Sequence, residues 1–137
     1  MIASLTLLPV RRATCALSAG PARATGWLVS AGGVLATSHA ALGYRVDVDI
    51  ENETGDRKPG RVVWVDVARD LALVVATEGL PRGPEPMVPL ALREVPAPKV
   101  GDRVLTVAAL AGRGLRIAPA TICATPGAGT AAAYFDT

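Results

Sequence analysis

Apolar and polar residues exchange along this chain at the short beat of β-strands. Arg45–Glu51 is the clearest stretch: Val46, Val48 and Ile50 alternate with Asp47, Asp49 and Glu51. A period of two describes a strand with one face buried and the other solvated. Gly60–Asp66 repeats the pattern less cleanly, with Val63 and Val65 set against Val62 and Trp64. Leu71–Ala76 is apolar throughout and β-branched at Val74 and Val75, which predicts a central strand buried on both faces.

Shorter runs complete the series. Ala13–Ser18 is closed by Ala19-Gly20-Pro21, while Thr25–Val29 and Val34–Thr37 are separated by Ala31-Gly32-Gly33. Two strand-like runs around a glycine turn predict a hairpin. Asn52–Lys58 reads as a polar turn containing Gly55. Gly79–Pro98 has no clean periodicity and is rich in proline, so it reads as a connector with a short edge strand at Val88–Leu92. Asp102–Ala109, Gly114–Cys123 (broken by Pro119) and Ala131–Phe135 are the remaining strand-like runs. Helical signal is confined to a single turn at Ala40–Gly43. Strand signals recurring roughly every eight to twelve residues predict an all-β barrel or sandwich.

Composition agrees with that class. Half of the 137 residues are hydrophobic, 19% are charged and only 4% are aromatic, with 14 Gly and 11 Pro. Such a chain buries a core and is not a disordered segment. The net charge of +2 is small, and the basic residues are scattered, with Arg11-Arg12 and Arg57-Lys58 as pairs; solvated surface is expected, not a nucleic-acid face. No apolar run approaches the ~20 residues of a membrane helix, so neither nucleic acid nor membrane is expected as a partner.

Ala22-Arg23-Ala24 loosely resembles a signal-peptidase site, but no positive charge precedes the apolar run Met1–Val10. Cleavage there would also remove the first strand, so a mature N-terminus and a cytoplasmic location are expected. Cys15 and Cys123 leave two readings open: a disulfide, which needs an oxidising compartment, or two buried free thiols, the plainer expectation. Neither these cysteines nor the lone histidine makes a zinc site of ordinary spacing. Gly112-Arg113-Gly114 is too short for a phosphate loop. Asp47, Asp49, Glu51 and Glu53 read as a solvated strand face, because the glycine hinge and remaining ligands of a calcium loop are missing. No cofactor or metal is expected.

The chemistry gathers around His39, the one histidine, placed just after the apolar strand Val34–Thr37. A single histidine at a strand end is more often structural than reactive. Asp70 changes that weighting. It opens the apolar strand Leu71–Val74, where a carboxylate is costly to bury without a hydrogen-bond donor. An imidazole N–H is a suitable donor, and a carboxylate that fixes the tautomer of a histidine equips it to activate a hydroxyl nucleophile. Asp66 is the local competitor, but it lacks the Leu-Ala-Leu that follows Asp70.

Ala24-Thr25-Gly26-Trp27-Leu28-Val29, the glycine turn and Val34-Leu35-Ala36-Thr37-Ser38-His39-Ala40 together resemble the trypsin-like serine proteases, nearest to the bacterial Deg, or high-temperature-requirement, branch. Asp70-Leu71-Ala72-Leu73 and Val100-Gly101-Asp102 fall in the order that family has, so the likeness runs from about Ala13 to Ile122. It implies a Greek-key β-barrel fold, with a complete first barrel in residues 1–90 and a connector with an incomplete second barrel in residues 91–137. Carried over, His39 matches the general base and Asp70 the residue that orients it.

Two features depart from the family. Ala40-Ala41 stands where the family usually has valine. More consequentially, no Gly-Asn/Asp-Ser-Gly-Gly stretch is present: the serines are Ser4, Ser18, Ser30 and Ser38. Ser38 adjoins His39, but neighbours on a strand point to opposite faces, so its hydroxyl is not expected at that ring. Tyr134-Phe135-Asp136-Thr137 resembles the strand leading into the nucleophile loop.

The expectation is therefore the His/Asp half of a serine endopeptidase that does not act alone. Its partners would be a peptide or protein substrate and a complementary C-terminal piece carrying the serine. The alternatives are a non-catalytic protease-fold module that binds peptides or partner proteins, and an unrelated small barrel.

Overall fold

The computed structural model describes residues 4–90, 98–124 and 134–136. A helix, α1 (Ser4–Ala13), leads into β1 (Thr14–Ala19), β2 (Ala22–Ser30) and β3 (Val34–Thr37). After one helical turn, α2 (His39–Leu42), come β4 (Asp47–Glu51), β5 (Arg57–Asp66) and β6 (Leu71–Ala76). A second group follows the connector: β7 (Arg103–Leu110), β8 (Gly114–Ala124) and β9 (Tyr134–Asp136).

The first six strands close into an antiparallel barrel in the order β1-β2-β3-β6-β5-β4, and the last three form a separate sheet, β7-β8-β9. The fold class is all-β, as expected. Because β3 pairs with β6 and β4 returns to β1, the chain must cross one end of the barrel between β3 and β4. That crossing carries α2.

The interior is filled by residues of one parity from each strand. Cys15 and Leu17 of β1, Leu28 of β2, Leu35 of β3, Val48 and Ile50 of β4, and Val74 of β6 meet there, with Leu42 of α2 plugging the end. Each fully buried leucine or isoleucine contributes roughly 1.5–3 kcal/mol. Two close approaches require glycine. A Cβ on Gly26 would lie 2.9 Å from Leu17 Cδ1, and one on Gly60 would lie 2.8 Å from Ile50 Cδ1 and 3.0 Å from Val74 Cγ1.

All six residues of β1 are buried. Its outward face is covered because β7 packs across β1 and β2. Thr25 Oγ1 accepts from Ala109 N–H at 3.0 Å and lies 3.3 Å from Ala109 O, to which it donates. Glu51 Oε2 accepts from Gly112 N–H at 2.6 Å.

Several local expectations need correction. From Ser4 onward the apolar N-terminal run is helical, and α1 continues through Pro9. It is tied down by ion pairs from Arg11 to Glu53 and from Arg12 to Glu85, contacts distant in sequence that no periodicity reveals. Glu51, assigned to the solvated face of β4, is buried between the two sheets, where Arg57 Nε and Gly112 N–H pair with it. Val46, expected inside, is exposed and precedes the strand. The alternation of β5 is interrupted by a bulge between Val62 and Trp64, which leaves Val63 and Trp64 both exposed.

In β6 only Ala72 and Val74 are buried, because a barrel wall has a single inner face. Pro119 does not break β8. It lies opposite Leu105 of β7, in a stretch of β8 that β9 does not pair with. Among the described residues no strand forms at Val88–Leu90, although Val88 N–H reaches Arg12 O and Leu90 N–H reaches Leu28 O. Leu92 and Ala131–Ala133 lie outside the described residues. Both cysteines are free, but only Cys15 is buried; Cys123 is exposed.

Candidate functional site

The β3–β6 register places the candidate residues. Val34 pairs with Val75, Leu35 with Val74, Ala36 with Leu73 and Thr37 with Ala72. Continuing that register by two residues sets His39 opposite Asp70. At this end the two chains part: β3 turns into α2, while β6 is entered from the tight turn Val67–Asp70, closed by a bond from Asp70 N–H to Val67 O.

Asp70 is the one non-glycine residue with positive φ (51°) among those described. Aspartate tolerates this conformation better than most side chains. Asp66 serves the turn itself, accepting from Arg69 N–H at 3.1 Å, and its ion-pair partner is Arg69.

The Asp70 carboxylate straddles the segment that carries the imidazole. Oδ1 accepts from Ala40 N–H at 2.7 Å and Oδ2 from the Ser38 hydroxyl at 2.8 Å. These two donors, with the nearby His39 ring and backbone N–H, hold the carboxyl below the ordinary aspartate range against a small opposing effect of burial. It is ionised at neutral pH.

His39 is buried, and its ring meets the Tyr44 ring edge-on at a centroid distance of 4.9 Å. Its Nδ1 is the one fully buried side-chain nitrogen or oxygen without a hydrogen-bond partner among the described residues. The structure thus brings His39 and Asp70 together but differs from the sequence reading in one respect. The carboxylate is bonded to the residues on either side of His39 and not to its ring.

Sequence reasoning missed Ser38 and Tyr44. Strand alternation points the Ser38 hydroxyl away from the ring, yet that hydroxyl reaches the acid. The place of Ser38 immediately before a helical turn, where serine commonly caps, was the available signal. Tyr44 is largely exposed, and its contact with His39 comes from the turn after α2, which has no sequence period.

A cavity of about 190 Å³ lies elsewhere, between α1, the turn after β4 and the connector. Its lining contains no histidine, cysteine or serine. Among the described residues no group of three histidine, cysteine or acidic side chains is placed to hold a metal ion, and no helix is long and apolar enough to cross a membrane.

Residues 24–137 match the model of the trypsin-like peptidase domain, and the chain belongs to that family. Solved structures repeat the fold. An inactive serine-to-alanine mutant of Rv3671c from M. tuberculosis H37Rv is 21% identical, with 85% of this chain and 52% of that one aligned at a TM-score of 0.67. The Rv3671c protease in its inactive form gives 20% identity, 86% and 55% coverage and a TM-score of 0.68. The serine protease of a human pathogenic astrovirus gives 19%, 84% and 64%, with a TM-score of 0.64. This chain therefore spans between about half and two thirds of those proteins' lengths. No curated protein matches it.

Proposed function

We propose that this chain supplies the general base, His39, and its orienting acid, Asp70, for a serine endopeptidase whose serine lies outside these 137 residues. The nearest branch by sequence pattern is the Deg type. The observation that carries this reading is the Asp70 carboxylate bonded to Ser38 and Ala40, the residues on either side of His39, whose buried Nδ1 has no hydrogen-bond partner among the described residues.

In such an arrangement His39 takes the serine proton through Nε2 as the hydroxyl attacks the scissile carbonyl, and returns it to the leaving amine. Asp70 keeps the proton of the neutral ring on Nδ1 and stabilises the imidazolium that forms. The three-stranded second sheet is open, unlike the first barrel, and an open sheet offers strand edges to a complementary segment. That supports a partner piece carrying the nucleophile, with a peptide or protein as substrate.

Alone, the 137-residue chain should neither react with a fluorophosphonate probe nor cleave casein. Joined to a segment carrying Gly-Asp-Ser-Gly-Gly, whether encoded after Thr137 or added in trans, it should do both. In that active form His39→Ala should cut kcat by about 10⁶-fold and Asp70→Asn by about 10⁴-fold. Unchanged turnover in either variant would exclude the assignment, and labelling of the isolated chain would place a reactive serine within it.

A further inference from the structure

We propose that Ser38 is a positioning residue: its hydroxyl pins Asp70 across the segment that carries the imidazole and thereby selects the Nδ1–H tautomer of His39. This rests on the His39–Asp70 pair proposed above and adds a residue from the same barrel that sets its geometry.

Ser38 occupies the N-cap of α2 but makes no side-chain cap bond. A serine there ordinarily accepts from a backbone N–H in the first helical turn. In this chain the Ala40 N–H goes to Asp70 Oδ1 at 2.7 Å, so the carboxylate has displaced the serine as cap. The Ser38 hydroxyl acts instead as a donor, to Asp70 Oδ2 at 2.8 Å.

Two anchors, one on each oxygen, matter for a side chain like this. The terminal torsion of aspartate is broad, and a single bond to Ala40 would leave the carboxylate free to swing. Asp70 also lies on an exposed turn, with no wall of packed side chains to hold it. Ser38 supplies the second anchor.

The anchoring leaves room for the imidazole. An ionised carboxylate oxygen accepts two hydrogen bonds, so each Asp70 oxygen keeps a free acceptor site after Ser38 and Ala40 are served. His39 Nδ1 is buried and has no other partner. Which ring nitrogen carries the proton is decided by the bond the ring can make, and in the proposed pair the anchored anion near the ring favours the proton on Nδ1. Nε2 is then left as the acceptor.

Because His39 is the only histidine in the chain, its imidazole ¹⁵N shifts at neutral pH report the tautomer without ambiguity. The test compares the 137-residue chain with Ser38→Ala, Ser38→Thr and Asp70→Asn, each checked for the barrel by circular dichroism. The wild-type chain and Ser38→Thr, which keeps the hydroxyl, should hold His39 mainly as Nδ1–H. Ser38→Ala and Asp70→Asn should lose that preference, so that Nε2–H becomes the major form.

A wild-type tautomer in Ser38→Ala combined with its loss in Asp70→Asn overturns the role of Ser38 and leaves the His39–Asp70 pair standing. Retention of Nδ1–H in Asp70→Asn, or Nε2–H in the wild type, overturns the pair and this inference with it. Should Ser38→Ala not fold, Ser38→Cys, which keeps the shape with a weaker donor, is read in the same way.

Discussion

Replacing Glu51 by alanine removes the carboxylate that ties the barrel to the second sheet. Its Oε1 accepts from Arg57 Nε at 2.7 Å and its Oε2 from Gly112 N–H at 2.6 Å. The side chain is only 7% exposed, whereas that of Arg57 is 57% exposed. The arginine recovers water on losing its partner, so the ion pair adds little to the cost. A hydrogen bond to a buried charge contributes about 1.5–3 kcal/mol. Gly112 sits on an exposed turn, and its N–H is partly rehydrated in the variant. The net cost of Glu51→Ala at pH 7 is about 2 kcal/mol.

The pH dependence identifies the source of that cost. Arg57 and then Gly112 N–H lower the pKa of Glu51 in the folded chain. A lowered folded value means that the stabilisation is complete above the unfolded value of about 4.3 and is lost as pH falls through the folded one. Urea unfolding followed by circular dichroism should therefore show the wild type and Glu51→Ala about 2 kcal/mol apart at pH 7 and converging on acidification from about pH 5 downwards. Glu51→Gln keeps an acceptor for Gly112 but loses the charge, and should fall between them. A difference of only a few tenths of a kcal/mol at pH 7, or one that does not shrink in acid, would refute the clamp.

Three further outcomes follow from the packing. Gly60→Ala should destabilise the barrel by roughly 1–3 kcal/mol, because the new methyl meets Ile50 Cδ1 at 2.8 Å and Val74 Cγ1 at 3.0 Å; thermal unfolding measures it. Thiol titration with a disulfide reagent at pH 8 should modify Cys123 quickly and Cys15 only on unfolding, since Cys15 is buried and its pKa is pushed up to about 12 by that burial. Thr25→Val, which keeps the shape but loses both bonds to Ala109, should cost about 1–2 kcal/mol and raise amide exchange in β7.

The strands were legible where one physical signal acted alone. Val34–Thr37 and Leu71–Ala76 match β3 and β6 residue for residue, because each is a short, mainly apolar run opened by a residue disfavoured in strands, Gly33 and Asp70. Legibility failed where a distant partner decided the outcome. The charge of Glu51 argued for solvent, and only the Gly112 turn, 61 residues away in sequence, reverses that. The alternation in β5 misled because a bulge at Val62/Trp64 adds a residue without any local mark. His39 and Asp70, the two residues of the proposed site, stand out in the sequence because each is the odd polar group at the end of an apolar strand. Ser38 does not, since its role depends on which neighbour caps α2.

The meeting of His39 with Asp70 is itself a consequence of register. Four pairs, from Val34–Val75 to Thr37–Ala72, fix how β3 lies against β6. A slip of one residue would turn Val74 and Ala72 out of the core, which the buried interior forbids. A slip of two would keep the faces but carry Asp70 about 6.6 Å along the strand, beyond reach of Ser38 and Ala40. The Val67–Asp70 turn marks where β6 begins. The geometry at the barrel mouth is therefore set by the packing of Leu35 and Val74 in the interior and by a turn that requires positive φ at Asp70. Aspartate tolerates that backbone, and in the proposed pair its carboxylate is the group that orients the histidine.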